Sequence, residues 1–172
     1  FVYLGVIHRL DRPVSGAVIF AKTSKALERM NKAFREGQIH KIYWALVCEK
    51  PSEDEKVLTH YLIRNQEKNK TYASLKPRPN SKEARLRYKY LYSTDHYHLL
   101  EVELYTGRQH QIRAQLSAIG CPIKGDLKYG APRSNPDASI SLHSRLVRFV
   151  HPVKKEPMEI IAPVDWVQLR CE

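Results

Sequence analysis

The chain has 172 residues, 42% of them hydrophobic and 27% charged, both near globular averages, so it has material for one domain with its own core and is neither a disordered tail nor a fibrous repeat. Twenty-nine Lys and Arg against 18 Asp and Glu leave a formal charge of +11, which points to a polyanionic partner, nucleic acid first. Apolar stretches such as 17–21 fall far short of the roughly 20 residues a bilayer span needs, so no transmembrane helix is expected.

Val14 to Ala21 is β-branched and apolar and predicts a buried strand. Thr23 stands where an N-cap belongs, Leu27, Met30 and Phe34 share one face, and Gly37 stops the pattern, predicting a helix over 24–36. Alternation from Ile39 to Cys48 predicts a strand buried on both sides for most of its length, and a polar turn at 51–55 leads to another at 57–63. Residues 65–82 hold five Lys or Arg outside any hydrophobic period, broken by Pro77 and Pro79, and predict an exposed basic loop, either a solvated linker or a grip on phosphates. In 83–92, Ala84, Leu86, Tyr88, Tyr90 and Tyr92 alternate with Arg85, Arg87 and Lys89, and the tyrosine stripe is read as core. A strand over 97–105 precedes Thr106 to Arg113, which turns into a helix ended by Gly120, with Ile112, Leu116 and Ile119 as its buried stripe. Strands at 140–150 and 158–162 complete the chain, punctuated by His151-Pro152 and Ala162-Pro163. With no repeat or linker, the expected architecture is one α+β domain: a mixed, largely antiparallel central sheet flanked by helices and loops.

Three places break local rules. In His8-Arg9-Leu10-Asp11-Arg12-Pro13-Val14-Ser15-Gly16 an acid is wedged among cations before the strand; it is either an ion-paired turn residue or a carboxylate held ionised for nucleophilic work. Arg108, His110 and Arg113 crowd a helix start, where the macrodipole disfavours cations, so an anion is expected there, a phosphate or a protein carboxylate, unless Arg113 snorkels to solvent. Tyr43 is polar inside a strand that otherwise reads as buried, a core tyrosine in want of a partner. His96 and His98 share a strand face without a third ligand, so no metal site is expected, and no Gly-rich phosphate loop supports a nucleotide cofactor. Cys48, Cys121 and Cys171, odd in number and without a CxxC pair, suggest reduced thiols in the cytoplasm.

Taken together, four segments resemble the RluA-type pseudouridine synthases, which isomerise uridine in RNA: His8 to Gly16, Lys41 to Val47, Thr106 to Arg113 and Ile119 to Gly130, followed by Leu142-His143-Ser144. The resemblance implies that Asp11 is the essential aspartate, Tyr43 the active-site tyrosine and Arg113 the arginine pairing with that aspartate. It implies that Arg9 fills the space left by a flipped-out uridine, and that Gly107, Gly125, Asp126 and Tyr129 shape the loop and floor. Arg9, Arg12, Arg108, His110 and Lys124 are assigned to RNA contacts. Val14, Gln109, Gln115 and Cys121 depart from commoner family residues without touching the three catalytic positions. The implied protein is a monomer acting on ribosomal or transfer RNA without cofactor or metal. Residues 1–172 are read as one catalytic domain lacking the family's first strand and any S4 domain. The chain opens on Phe1 without an initiator Met or a signal sequence, so residues upstream are expected. A non-catalytic RNA-binding domain of the same fold is the competing reading.

Overall fold

Local signals set the first half of the chain. Thr23 is extended, and its hydroxyl accepts from the Ala26 amide at 3.1 Å, starting helix α1 (Ser24–Arg35) where the spacing predicts it. The helix buries Met30 against Ala17, Ile39 and Val147. This computed structural model describes residues 2–164, so Cys171 lies outside the described residues.

The run 14–21 is not one strand. Short strands β1 (Gly5–Val6) and β3 (Phe20–Ala21) pair with each other, whereas β2 (Ser15–Gly16) lies parallel to a strand far along the chain. Gly16 causes the break. Its φ of +118° is closed to most side chains, and a Cβ there would collide with the Ser144 backbone, so the segment bends where the two backbones meet. Val18 and Phe20 are left exposed.

The main sheet runs in the order β10 (Pro157–Ile161), β9 (Leu142–Val150), β4 (His40–Val47), β8 (His98–Leu104), β7 (Lys82–Ser93), β5 (Glu55–Asn65) and β6 (Lys70–Ser74), all antiparallel, with β2 added parallel to β9. It is the mixed, largely antiparallel sheet of the expected α+β class. Strand β6 corrects the expectation of a loop over 65–82. The turn 65–69 closes on Asn69 at φ 45°, and Thr71 is then buried, its amide donating to Tyr129 Oη at 2.8 Å. That partner stands 58 residues away and leaves no mark on the local pattern.

Tyr43, Ala45 and Val47 of β4 pack with Leu86, Tyr88, Leu100 and Val102, and helix α2 (Gln111–Ala118) caps this core with Ile112 and Leu116. Leu46 and Trp44 pack on a separate cluster with Leu99 and Tyr97. Helix α2 does not show the expected single stripe: every residue from Gln111 to Leu116 is buried, and Ile119 only partly. Its polar residues are inside because each has bonded partners, with Gln115 Oε1 the one buried side-chain polar atom of the helix left without one among the described residues. The Gln111 side chain accepts from the Thr106 hydroxyl and the Arg108 amide and donates to the Arg85 carbonyl, while Gln115 Nε2 donates to the Leu58 and Ala84 carbonyls.

Candidate active site

The loop before β2 is pinned at several points. His8 stacks on Phe34 and its Nε2 accepts from the Ile19 amide at 3.0 Å; Leu10 and Val14 pack on the main core; Pro13 accepts from the Ile140 amide. Between these anchors the Val14 amide closes a turn on the Asp11 carbonyl at 2.9 Å, which projects the Asp11 side chain into a cleft of about 1180 Å³. Burial and the charge of Lys41 lower the His8 pKa, so His8 stays the neutral acceptor that this anchoring needs.

Across the cleft, Arg113 sits in the first turn of α2 and is buried. The anion that compensates it is a protein carboxylate, and there are two: the expected Asp11 and, more tightly bound, Asp126. Asp126, 2% exposed, takes a bidentate pair from Arg113 at 2.7 and 2.8 Å, while Asp11 Oδ2 stands 3.5 Å from Arg113 Nη1. Burial works against the guanidinium charge, and the Asp126 hydrogen bonds with both carboxylate charges more than offset it, raising its pKa. Asp126 therefore fixes Arg113, and the longer contact leaves Asp11 held less tightly.

His110 was expected to touch RNA; its side chain is instead only 6% exposed and lies inside the site. It adopts a left-handed conformation at φ 55°, which delays the helix to Gln111. Tyr129 Oη accepts the Thr71 amide and shares a hydrogen bond with His110 Nδ1 at 2.8 Å, which turns the other ring nitrogen, Nε2, to 3.9 Å from Asp11 Oδ2. Burial lowers the His110 pKa and Arg113 lowers it further, against an upward pull from Asp11. Tyr43 completes the wall. Burial pushes its hydroxyl up to about 12, with the Asp11 charge adding to the rise and the Ser144 side chain opposing it, so Tyr43 is neutral at ordinary pH.

A family model described as RNA pseudouridylate synthase matches residues 2–118. The chain belongs to the RNA pseudouridylate synthase family. It is similar to ribosomal large subunit pseudouridine synthase C of Vibrio vulnificus, 33% identical over 168 residues that cover 94% of this chain and 52% of that protein. An uncharacterized RNA pseudouridine synthase of Chloroflexus aurantiacus is 35% identical over 161 residues, covering 93% of this chain and 50% of its own. The chain spans about half the length of these curated relatives. The fold is that of human RNA pseudouridylate synthase domain containing 1, with a TM-score of 0.78 at 25% identity over 96% of this chain and 71% of that one.

The chain lines its cleft with Arg9, Arg12 and Arg108 as well as Asp11, Tyr43 and Arg113. The three rim arginines are exposed, and Arg108 donates through Nε to the Glu83 carbonyl. Lys124 is not brought there: its ammonium lies over the Tyr97 ring, 4.8 Å from the centroid. Sequence reasoning missed Asp126 as the main partner of Arg113 and Tyr129 as the holder of His110. The signal present was Gly125-Asp126-Leu127-Lys128-Tyr129, where a short 3₁₀ turn over 127–129 sets an acid and a tyrosine three residues apart toward the same arginine, 4.8 Å from the Tyr129 ring centroid.

His8, His60 and His110 all have pKa values lowered, first by burial. The unfolded chain takes up their protons from about pH 6.5 downward, before the folded chain does. This stability is therefore fully present above about pH 6.5 and is lost as pH falls through the lowered folded values. The midpoint of urea unfolding is expected to fall steadily as pH drops below about 6.5. A flat profile there contradicts the neutral state of these rings.

Proposed function

We propose that the chain isomerises uridine in ribosomal or transfer RNA to pseudouridine, with Asp11 starting the reaction. One observation carries this: Asp11 turns Oδ2 toward Arg113 and His110, while Oδ1 has no partner among the described residues and faces a cleft rimmed by arginines. Pure phosphate binding gains nothing from such a carboxylate, which argues against a non-catalytic RNA-binding domain. In the reaction the N1–C1′ bond breaks, the uracil turns, and a C5–C1′ bond forms. C5 loses a proton and N1 gains one, so the atoms balance without a cofactor. Asp11 either engages C1′ directly or takes the proton at C2′. Tyr43, neutral, stacks on the base and serves as a proton donor rather than as a resident phenolate base. Arg9 fills the gap left by the extruded uridine, and Arg12 and Arg108 meet neighbouring phosphates. The free thiols of Cys48 and Cys121 are compatible with action in the cytoplasm.

The test is a map of carbodiimide-reactive uridines in cellular RNA with and without the gene. At least one reactive position is expected to disappear on deletion and return when the gene is restored. An unchanged map overturns the proposal.

A further inference from the structure

Lys41 lies two residues before Tyr43 on β4 and lines the same cleft. It is half-buried, and no ion pair among the described residues includes it. Its surroundings are uncharged: the Phe34 ring centroid is 5.3 Å from Nζ, His8 is held neutral nearby, and Gly107 has no side chain where a Cβ would come within 3.1 Å of the ammonium. Burial lowers the Lys41 pKa, as expected of a cation that the protein itself leaves unanswered. Removing a cation from water without a counter-charge is costly, and Asp11 is already engaged by Arg113 and His110.

We propose that Lys41 is the subsite for the phosphodiester next to the target uridine. This rests on the reading of the cleft as a uridine site and names what holds the nucleotide there. Successive same-face positions of a strand are about 6.6 Å apart, so a base against Tyr43 carries its own backbone past Lys41. The rim arginines are exposed to water, where salt screens them and one phosphate is much like the next. Lys41 is desolvated, so its contact is stronger and tied to one position along the strand. The missing Cβ of Gly107 leaves room for the anion beside the ammonium.

The experiment uses a short single-stranded RNA with one uridine among adenosines, in three forms: all phosphodiester, with uncharged methylphosphonates at the two linkages flanking the uridine, and with the same two replacements near the 5′ end. Affinities are read by fluorescence anisotropy for the unmodified chain, Lys41→Met and Lys41→Arg. Neutralising the flanking linkages is expected to weaken the unmodified chain about tenfold, the worth of one charge-assisted hydrogen bond. The same change should weaken Lys41→Arg severalfold, and Lys41→Met no more than the distal replacements do. Equal losses in the unmodified chain and Lys41→Met, indifference to the flanking linkages, or no binding of the parent RNA each overturn the proposal. Should Lys41→Met not fold, ¹³C-methylated lysines of the unmodified chain give the same answer: the Lys41 resonance shifts with the parent RNA and stays in place with the flanking-neutral form. No turnover enters these readouts, so an unchanged uridine map rejects the synthase reading and leaves this result to stand or fall by itself.

Discussion

Asp11→Asn is expected to abolish release of tritium from C5-labelled uridine in substrate RNA, with a loss of at least about 10³-fold, because the amide neither attacks a sugar carbon nor takes its proton. The change should leave RNA affinity within about threefold, since the removed charge is one of a like sign to the ligand in a basic cleft. Stability should move by less than about 1 kcal/mol: the Asp11 side chain is 22% exposed, its contact to Arg113 is long at 3.5 Å, and Arg113 keeps both bonds to Asp126. Three readouts then separate the alternatives. Lost activity with kept affinity and kept folding marks a reacting group. Lost folding would mean that Asp11 is the ion-paired turn residue of the structural reading. Kept activity would move the chemistry to another carboxylate, and Asp126 is fully engaged by Arg113.

How far the sequence carries depends on how local the cause is. Helix α1 follows from Thr23 and a 3.6-residue spacing, and β7 from alternation as far as Tyr90, so both are legible to that point; beyond it a bulge breaks the period and puts Tyr92 in the cluster of Leu46 and Leu99, off the expected tyrosine stripe. Strand β6 is not legible. Its burial comes from Tyr129, and its pairing from β5 beyond a turn rich in polar residues. The conflict of cations with the macrodipole at α2 is visible in the sequence, and it does mark a charged site. The nature of the compensating anion is not visible, because a carboxylate 13 residues ahead and one 102 residues behind are equally good partners on paper. Only the 3₁₀ turn that drives Asp126 under the guanidinium decides between them. Lys124 shows the converse error. It sits in a segment dense with site residues, yet the bridge of Val47 to Ile123 leads into a backbone that turns its side chain onto Tyr97.

Asp126→Asn tests that decision directly. The carboxylate is buried and gives Arg113 both of its short bonds, so its replacement leaves a buried guanidinium with a neutral, half-matching partner. Breaking such a pair from one side costs about 3–5 kcal/mol, which should appear as a large drop in the urea midpoint. The site suffers separately. The next carboxylate within reach of Arg113 is Asp11, and the guanidinium freed from Asp126 is expected to close the 3.5 Å contact into a tight pair that occupies the oxygens needed for the reaction. Activity should therefore fall by more than about 100-fold even at temperatures where the variant is folded. The double variant Asp126→Leu with Arg113→Met removes both charges at similar volume and should recover most of the lost stability, as apolar replacements of buried ion pairs do. It should recover no activity, because Asp11 then faces the cleft without its cation. If Asp126→Asn unfolds at the unmodified midpoint, or if the double variant regains turnover, Asp126 is not what sets Arg113 in place.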